Sequence, residues 1–205
     1  MLLGSGLSQA QQPVSTVGFE QTFPGSDPGH YIISVTSDCR ATYQSDGKLT
    51  DQAAADESFR FEFTITQPNC AKIFDLTKRA RYFKGEIDSK KKNLAVTGIK
   101  TLSYKDAEKS TKGTYNYSPV SEVEELTAIF QGLAATLEFG RRLEYDHHYQ
   151  KLALYQDLKQ MDESSGVAGL KEISAISLTL QKIVDDPSLM NVVRTRAQRL
   201  LAGGK

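Results

Sequence analysis

The chain has no surplus of charge of either sign. Lys and Arg number 25 and Asp and Glu number 25 in 205 residues. Nothing in the overall balance draws it to nucleic acid or to an anionic membrane surface. It has no run of about 18 apolar residues, the length a membrane-crossing helix needs. Cysteine is limited to Cys39 and Cys70, and histidine to His30, His147 and His148. That leaves no Cys-x-x-Cys pair and no clustered Cys/His set of the kind that holds zinc. There is no Gly-x-Ser-x-Gly elbow and no Gly-rich loop of the kind that cradles phosphate. The carboxylates are scattered. These absences point away from catalysis, and no cofactor is implied.

What is present can fill a core. Hydrophobic residues make up 39% of the chain, with nine Phe and nine Tyr. The first twelve residues, MLLGSGLSQAQQ, hold small residues at Ser8 and Ala10, the −3 and −1 positions of a signal-peptidase site. Only Leu2, Leu3 and Leu7 precede the site as an apolar stub, and no basic start is present. The stretch reads as the remnant of a signal peptide, with a short disordered N-terminus as the alternative. Residues 11–29 are rich in Gln, Ser, Gly and Pro and read as a flexible lead-in. The expected first segment is therefore 1–29.

From His30 the pattern alternates. Tyr31, Ile33 and Val35 share one face, Arg40 to Gln44 returns as a second strand, and Phe59, Phe61, Phe63 and Ile65 mark a third. Asn69 is a natural helix cap, and Ile73, Leu76, Ala80 and Phe83 follow at helical spacing. Strands are expected again over 93–104 and 114–117, joined by a Lys-rich turn at 106–113. The fold class is thus α+β: an antiparallel sheet of about five strands with one packed helix over 30–118 in the order β-β-β-α-β-β. With the first three strands running up, down and up, Cys39 and Cys70 fall at one edge of the sheet. They are a candidate disulfide, worth roughly 3–4 kcal/mol through loop closure. The alternative is two unpaired buried thiols in a cytoplasmic protein.

At Ser118-Pro119 period two gives way to helical spacing. Residues 119–205 read as about four helices, with a core shared with 30–118 as one expectation and a separate core as the other. Ser121 and Glu124 are spaced as a capping box. Breaks are expected at or near Gly140 and at 164–166, and Asp186-Pro187 reads as the start of the last helix. Residues 170–202 look like a single helical hairpin of the HEAT type, without the further copies a solenoid needs.

Two clusters invite chemistry. Glu144, Asp146, His147 and His148 lie within one helical turn and a half. The Glu144–His147 spacing is that of one Glu-x-x-His motif, where di-metal bundles use two. The 71–112 region has twelve basic residues against five acidic ones, a candidate surface for an acidic partner or simply solvated turns. Tyr115 and Tyr117 beside Lys112 could stack bases, but alternating tyrosines on a strand usually pack across it.

The phrases Ile73-Phe74-Asp75-Leu76, Arg81-Tyr82-Phe83-Lys84-Gly85, Thr97 to Tyr104 and Leu137 to Leu143 resemble those of uncharacterised exported bacterial proteins. The resemblance implies export, to the periplasm or the exterior, and no activity. The resulting expectation is an exported, non-enzymatic binding or structural protein whose partner is another protein. The alternatives are a small metal-dependent enzyme using Glu144, Asp146, His147 and His148, and an intracellular adaptor working through its C-terminal helices.

Overall fold

A computed structural model describes residues 14–49, 58–91, 95, 97–167 and 169–203, with side chains 165–167 left aside. The signal-peptide remnant expected over residues 1–12 lies outside these. The chain is α+β, and the described residues form six antiparallel strands and five α-helices. The strands are β1 (Thr16–Thr22), β2 (His30–Thr36), β3 (Arg40–Ser45), β4 (Phe59–Thr64), β5 (Ile99–Lys105) and β6 (Ser110–Tyr115). The helices are α1 (Gln67–Arg79), α2 (Ser121–Tyr149), α3 (Leu154–Val167), α4 (Ser177–Asp185) and α5 (Asn191–Gly203).

The sheet order is β4-β3-β2-β1-β5-β6. The segment expected as a flexible lead-in therefore supplies a central strand. β1 pairs with β2 on one side and β5 on the other, and Val17 and Phe19 are fully buried. Its alternation is short, and Gly18 hides it further. Gly18 is small because the Ser103 hydroxyl of β5 occupies the space a Cβ would take. The sheet consequently has six strands instead of about five.

β5 and β6 also differ from expectation. β5 starts at Ile99, and β6 begins at Ser110 because the turn between them is only four residues long. The Asp106 carboxylate accepts the Glu108 and Lys109 N–H groups, which closes the chain early and frees residues 110–113 to pair with β5.

α1 starts at Gln67 with Pro68 in its first turn, a position that suits a residue without an N–H. Asn69 is not its cap; its amide donates instead to Glu172. Beyond Arg79 the residues Arg81, Tyr82 and Phe83 all take positive φ, at 53°, 55° and 61°. This left-handed turn takes Phe83 out of the helix yet leaves it buried.

The second half is held by α2, which runs unbroken through Gly140 for 29 residues. The break falls at 150–153. α3 in turn continues through 164–166. Ser121 makes no capping box, since its hydroxyl donates to the neighbouring Glu122. Asp186-Pro187 forms the turn before α5, which starts only at Asn191.

One apolar cluster joins both halves. It runs from Val17, Ile33 and Leu102 of the sheet through Ile73 and Leu76 of α1 and Phe130 and Leu133 of α2 to Leu158, Leu180 and Val193. Phe19 of β1 stacks on Phe130 of α2 with ring centroids 5.2 Å apart. α2 can serve both sides because it buries residues at too many phases for a single stripe: Val123, Phe130 and Leu137, but also Gly132, Thr136 and Leu143. The Cys39–Cys70 disulfide is formed, with Cα atoms 5.6 Å apart, and it pins the β2–β3 turn to the first turn of α1.

Candidate functional site

β4 is an edge strand, so its inward-facing Phe59, Phe61 and Phe63 have a neighbouring strand on one side only and stay half-buried. Beside them α2 presents Leu137, Gly140, Arg141, Glu144, Tyr145 and His148. These positions recur every three or four residues and so lie on one helix face. α4 and the turn before it close the third side with Ile176, Leu178 and Lys182. The result is a groove of about 690 Å³. Its floor is aromatic and aliphatic. At its mouth Leu178 is 79% exposed and Tyr149 is 68% exposed.

Few polar groups face this groove, and most are already paired. Lys182 Nζ donates to Glu144 Oε1 at 2.6 Å, and the Thr179 hydroxyl donates to Oε2 at 3.1 Å. The lysine bond holds the Glu144 carboxyl below its usual range. Arg141 is different. Its side chain is 9% exposed, and its guanidinium lies 4.7 Å from the centroid of the Phe59 ring. Nη1 donates to the Gly47 carbonyl at 2.7 Å. Among the described residues the nearest carboxylate oxygen, Glu138 Oε2, is 3.9 Å away. The other oxygen of Glu138 accepts the hydroxyls of Tyr43 and Ser45 at 2.7 and 2.6 Å. Burial and the Glu138 charge push the Tyr43 phenol far up.

The four residues singled out as a possible metal cluster point apart. At about 100° per residue, His147 and His148 flank the direction of Glu144 on either side, and Asp146 points away. Glu144 is bound to Lys182. Asp146 is 5% exposed and faces Asp157 of α3, and its carboxyl is pushed up to about 7 by burial and by that neighbour. His147 meets Asp186 at 3.0 Å. Asp186 also accepts Lys151 at 2.7 Å, and these bonds hold it well below the carboxylate range. His148 packs edge-on against the Tyr149 ring. Among the described residues, no three His, Cys, Asp or Glu side chains converge as a metal site.

In the basic 71–112 region several charges are spoken for. Lys72 pairs with Glu125, Arg79 with Glu122, and Lys90 with Glu86. Lys100 is buried and donates to Thr97, Gly98 and Asn116, all neutral acceptors; burial pulls its pKa down. Tyr115 is buried, with its hydroxyl bonded to Thr127, so its ring is not a platform for bases. Exposed lysines without an ion pair among the described residues remain at Lys78, Lys84, Lys91, Lys105, Lys109 and Lys112.

Arg141 and Glu138 escaped the reading of the sequence. The available signal was Arg141 sitting four residues after Leu137 and seven before His148, on the same face as Glu144. Nothing local distinguishes it from a solvated arginine. No protein-family model matches this chain, and no curated protein matches it. Among the described residues, no helix is long and apolar enough to cross a membrane.

Proposed function

We propose that the protein is a non-enzymatic binding protein working outside the cytoplasm, and that it takes a small apolar ligand into the groove between β4, α2 and α4. The observation that carries this reading is the groove. Its volume of about 690 Å³ falls in the range of small-molecule sites, roughly 300–1,000 Å³. Its lining is mostly apolar, with few polar groups, as such sites require. Leu178 and Tyr149 at the mouth are exposed apolar groups beside a concave floor, a combination that marks interaction sites more than isolated surface residues do. The extracytoplasmic part of the reading is supported by the Cys39–Cys70 bond, since structural disulfides persist in oxidising compartments.

The test is a titration with decanol followed by NMR. Saturable shifts centred on Phe59, Phe61, Leu137 and Ile176 are expected. Shifts scattered over the surface, or none at all, would end this reading.

A further inference from the structure

We infer that the ligand of this groove is an amphiphile with one carboxylate on an apolar body, and that Arg141 receives the carboxylate. The inference rests on the groove being a ligand site and adds the ligand's chemistry.

The argument is one of unmet donors. A guanidinium carries five N–H groups and no acceptor. In Arg141 one of them reaches the Gly47 carbonyl. The Glu138 carboxylate, at 3.9 Å, is beyond hydrogen-bonding distance, and its other oxygen is occupied by Tyr43 and Ser45. Arg141 makes no other hydrogen bond among the described residues. The Phe59 ring covers one face of the guanidinium, which is favourable for a cation but satisfies no N–H. Glu138 balances the charge without filling the fork, and the remaining N–H groups are open to solvent in the groove, since the one buried side-chain N or O without a hydrogen-bond partner among the described residues is Arg196 Nε; a ligand with a matching acceptor can take the place of that solvent.

The other charges in the groove do not compete for that role. Lys182 and Glu144 neutralise each other at 2.6 Å, and Thr179 takes the second Glu144 oxygen. His148, the other nitrogen base on this wall, packs edge-on against Tyr149, so Arg141 is the cation of the groove whose planar fork still has donors to offer. A carboxylate meets it with two parallel bonds, the geometry for which arginine is suited and lysine is not. A neutral ligand leaves the donors idle. A ligand with a second charge far from the first would bury it against Phe61 or Ile176. One carboxylate on an apolar chain fits both the guanidinium and the floor.

Titration of the wild-type protein with decanoate and with decanol separates this inference from the reading beneath it. Decanoate is expected to bind about tenfold more tightly, the worth of charge-assisted hydrogen bonds. In Arg141→Gln the two should bind within about threefold of each other. Arg141→Lys should recover only part of the preference, because it restores charge without the fork. The Arg141 Nε–Hε resonance should shift with decanoate and not with decanol, an observation that needs no variant. If both probes bind equally to wild type, the carboxylate inference fails while the groove reading stands. A preference that survives Arg141→Gln also overturns it. If neither probe binds, the groove reading itself is lost.

Discussion

Glu172 and Thr66 lie 106 residues apart, yet the Glu172 carboxylate accepts the Thr66 backbone N–H at 3.1 Å. The same oxygen accepts the Thr66 hydroxyl at 2.7 Å and the Asn69 amide at 2.6 Å. Thr66 is the residue before α1, and its own side chain caps nothing. A carboxylate from the segment between α3 and α4 thus does the capping, where the free N–H groups and dipole of α1 favour negative charge. Glu172 is only 7% exposed. The contact ties the sheet-bearing half to the helical half.

Replacing Glu172 with Ala should therefore destabilise the whole molecule. It leaves an N–H, a hydroxyl and an amide without their acceptor, at about 2–4 kcal/mol in total. Glu172→Gln keeps an acceptor and should cost less, about 1–2 kcal/mol. Because one core joins both halves, urea unfolding should remain a single transition by far-ultraviolet and tyrosine signals alike. Two separated transitions in the wild type would show the halves to be independent.

Gly140 offers a second test, in which two effects oppose. Alanine in a helix interior normally gains about 1 kcal/mol over glycine. Here a Cβ would run into the Cγ2 methyl of Ile176. Ile176 is 4% exposed and held in the turn ahead of α4, so it has little room to withdraw. Overpacking of this kind costs about 1–3 kcal/mol, and the expected sign of Gly140→Ala is destabilising. Ile176→Ala removes the obstructing methyl. In the double variant the two losses should fall well short of their sum. A Gly140→Ala protein more stable than wild type would mean that α2 and Ile176 can move apart.

These residues also show what the chain discloses by itself. The alternation of Phe59, Phe61 and Phe63 was legible because strand period is local. The Cys39–Cys70 pairing was legible because three short strands fix which ends meet. β1 was not, since its apolar signal is only Val17 and Phe19 around a glycine whose purpose is set by Ser103, far along the chain. α2 runs through Gly140 because packing against Ile176 overrides the weak local preference to stop. The groove was half legible: its phenylalanines announce themselves, whereas Arg141 acquires meaning only when Gly47, Phe59 and Glu138 surround it. Glu172 carried no local signal at all.

The third prediction concerns Asp146 and pH. In an unfolded chain aspartate titrates near 3.9. In the folded protein burial and Asp157 push Asp146 up to about 7, opposed by Arg142 of the same helix. Between those two values the folded state holds a proton that the unfolded state has released. Stability from this group therefore falls as pH rises from about 4 to about 7, and is flat above. Asp146→Asn keeps a donor facing Asp157 and cannot ionise. Its stability relative to wild type should rise by roughly 1–3 kcal/mol between pH 5 and pH 8. Urea midpoints of the two proteins at both pH values provide the measurement, and titration of groups that do not interact with Asp146 cancels in their difference. A difference that stays constant between pH 5 and 8 would mean that Asp146 ionises in the ordinary carboxylate range and that the α2–α3 contact is indifferent to its charge.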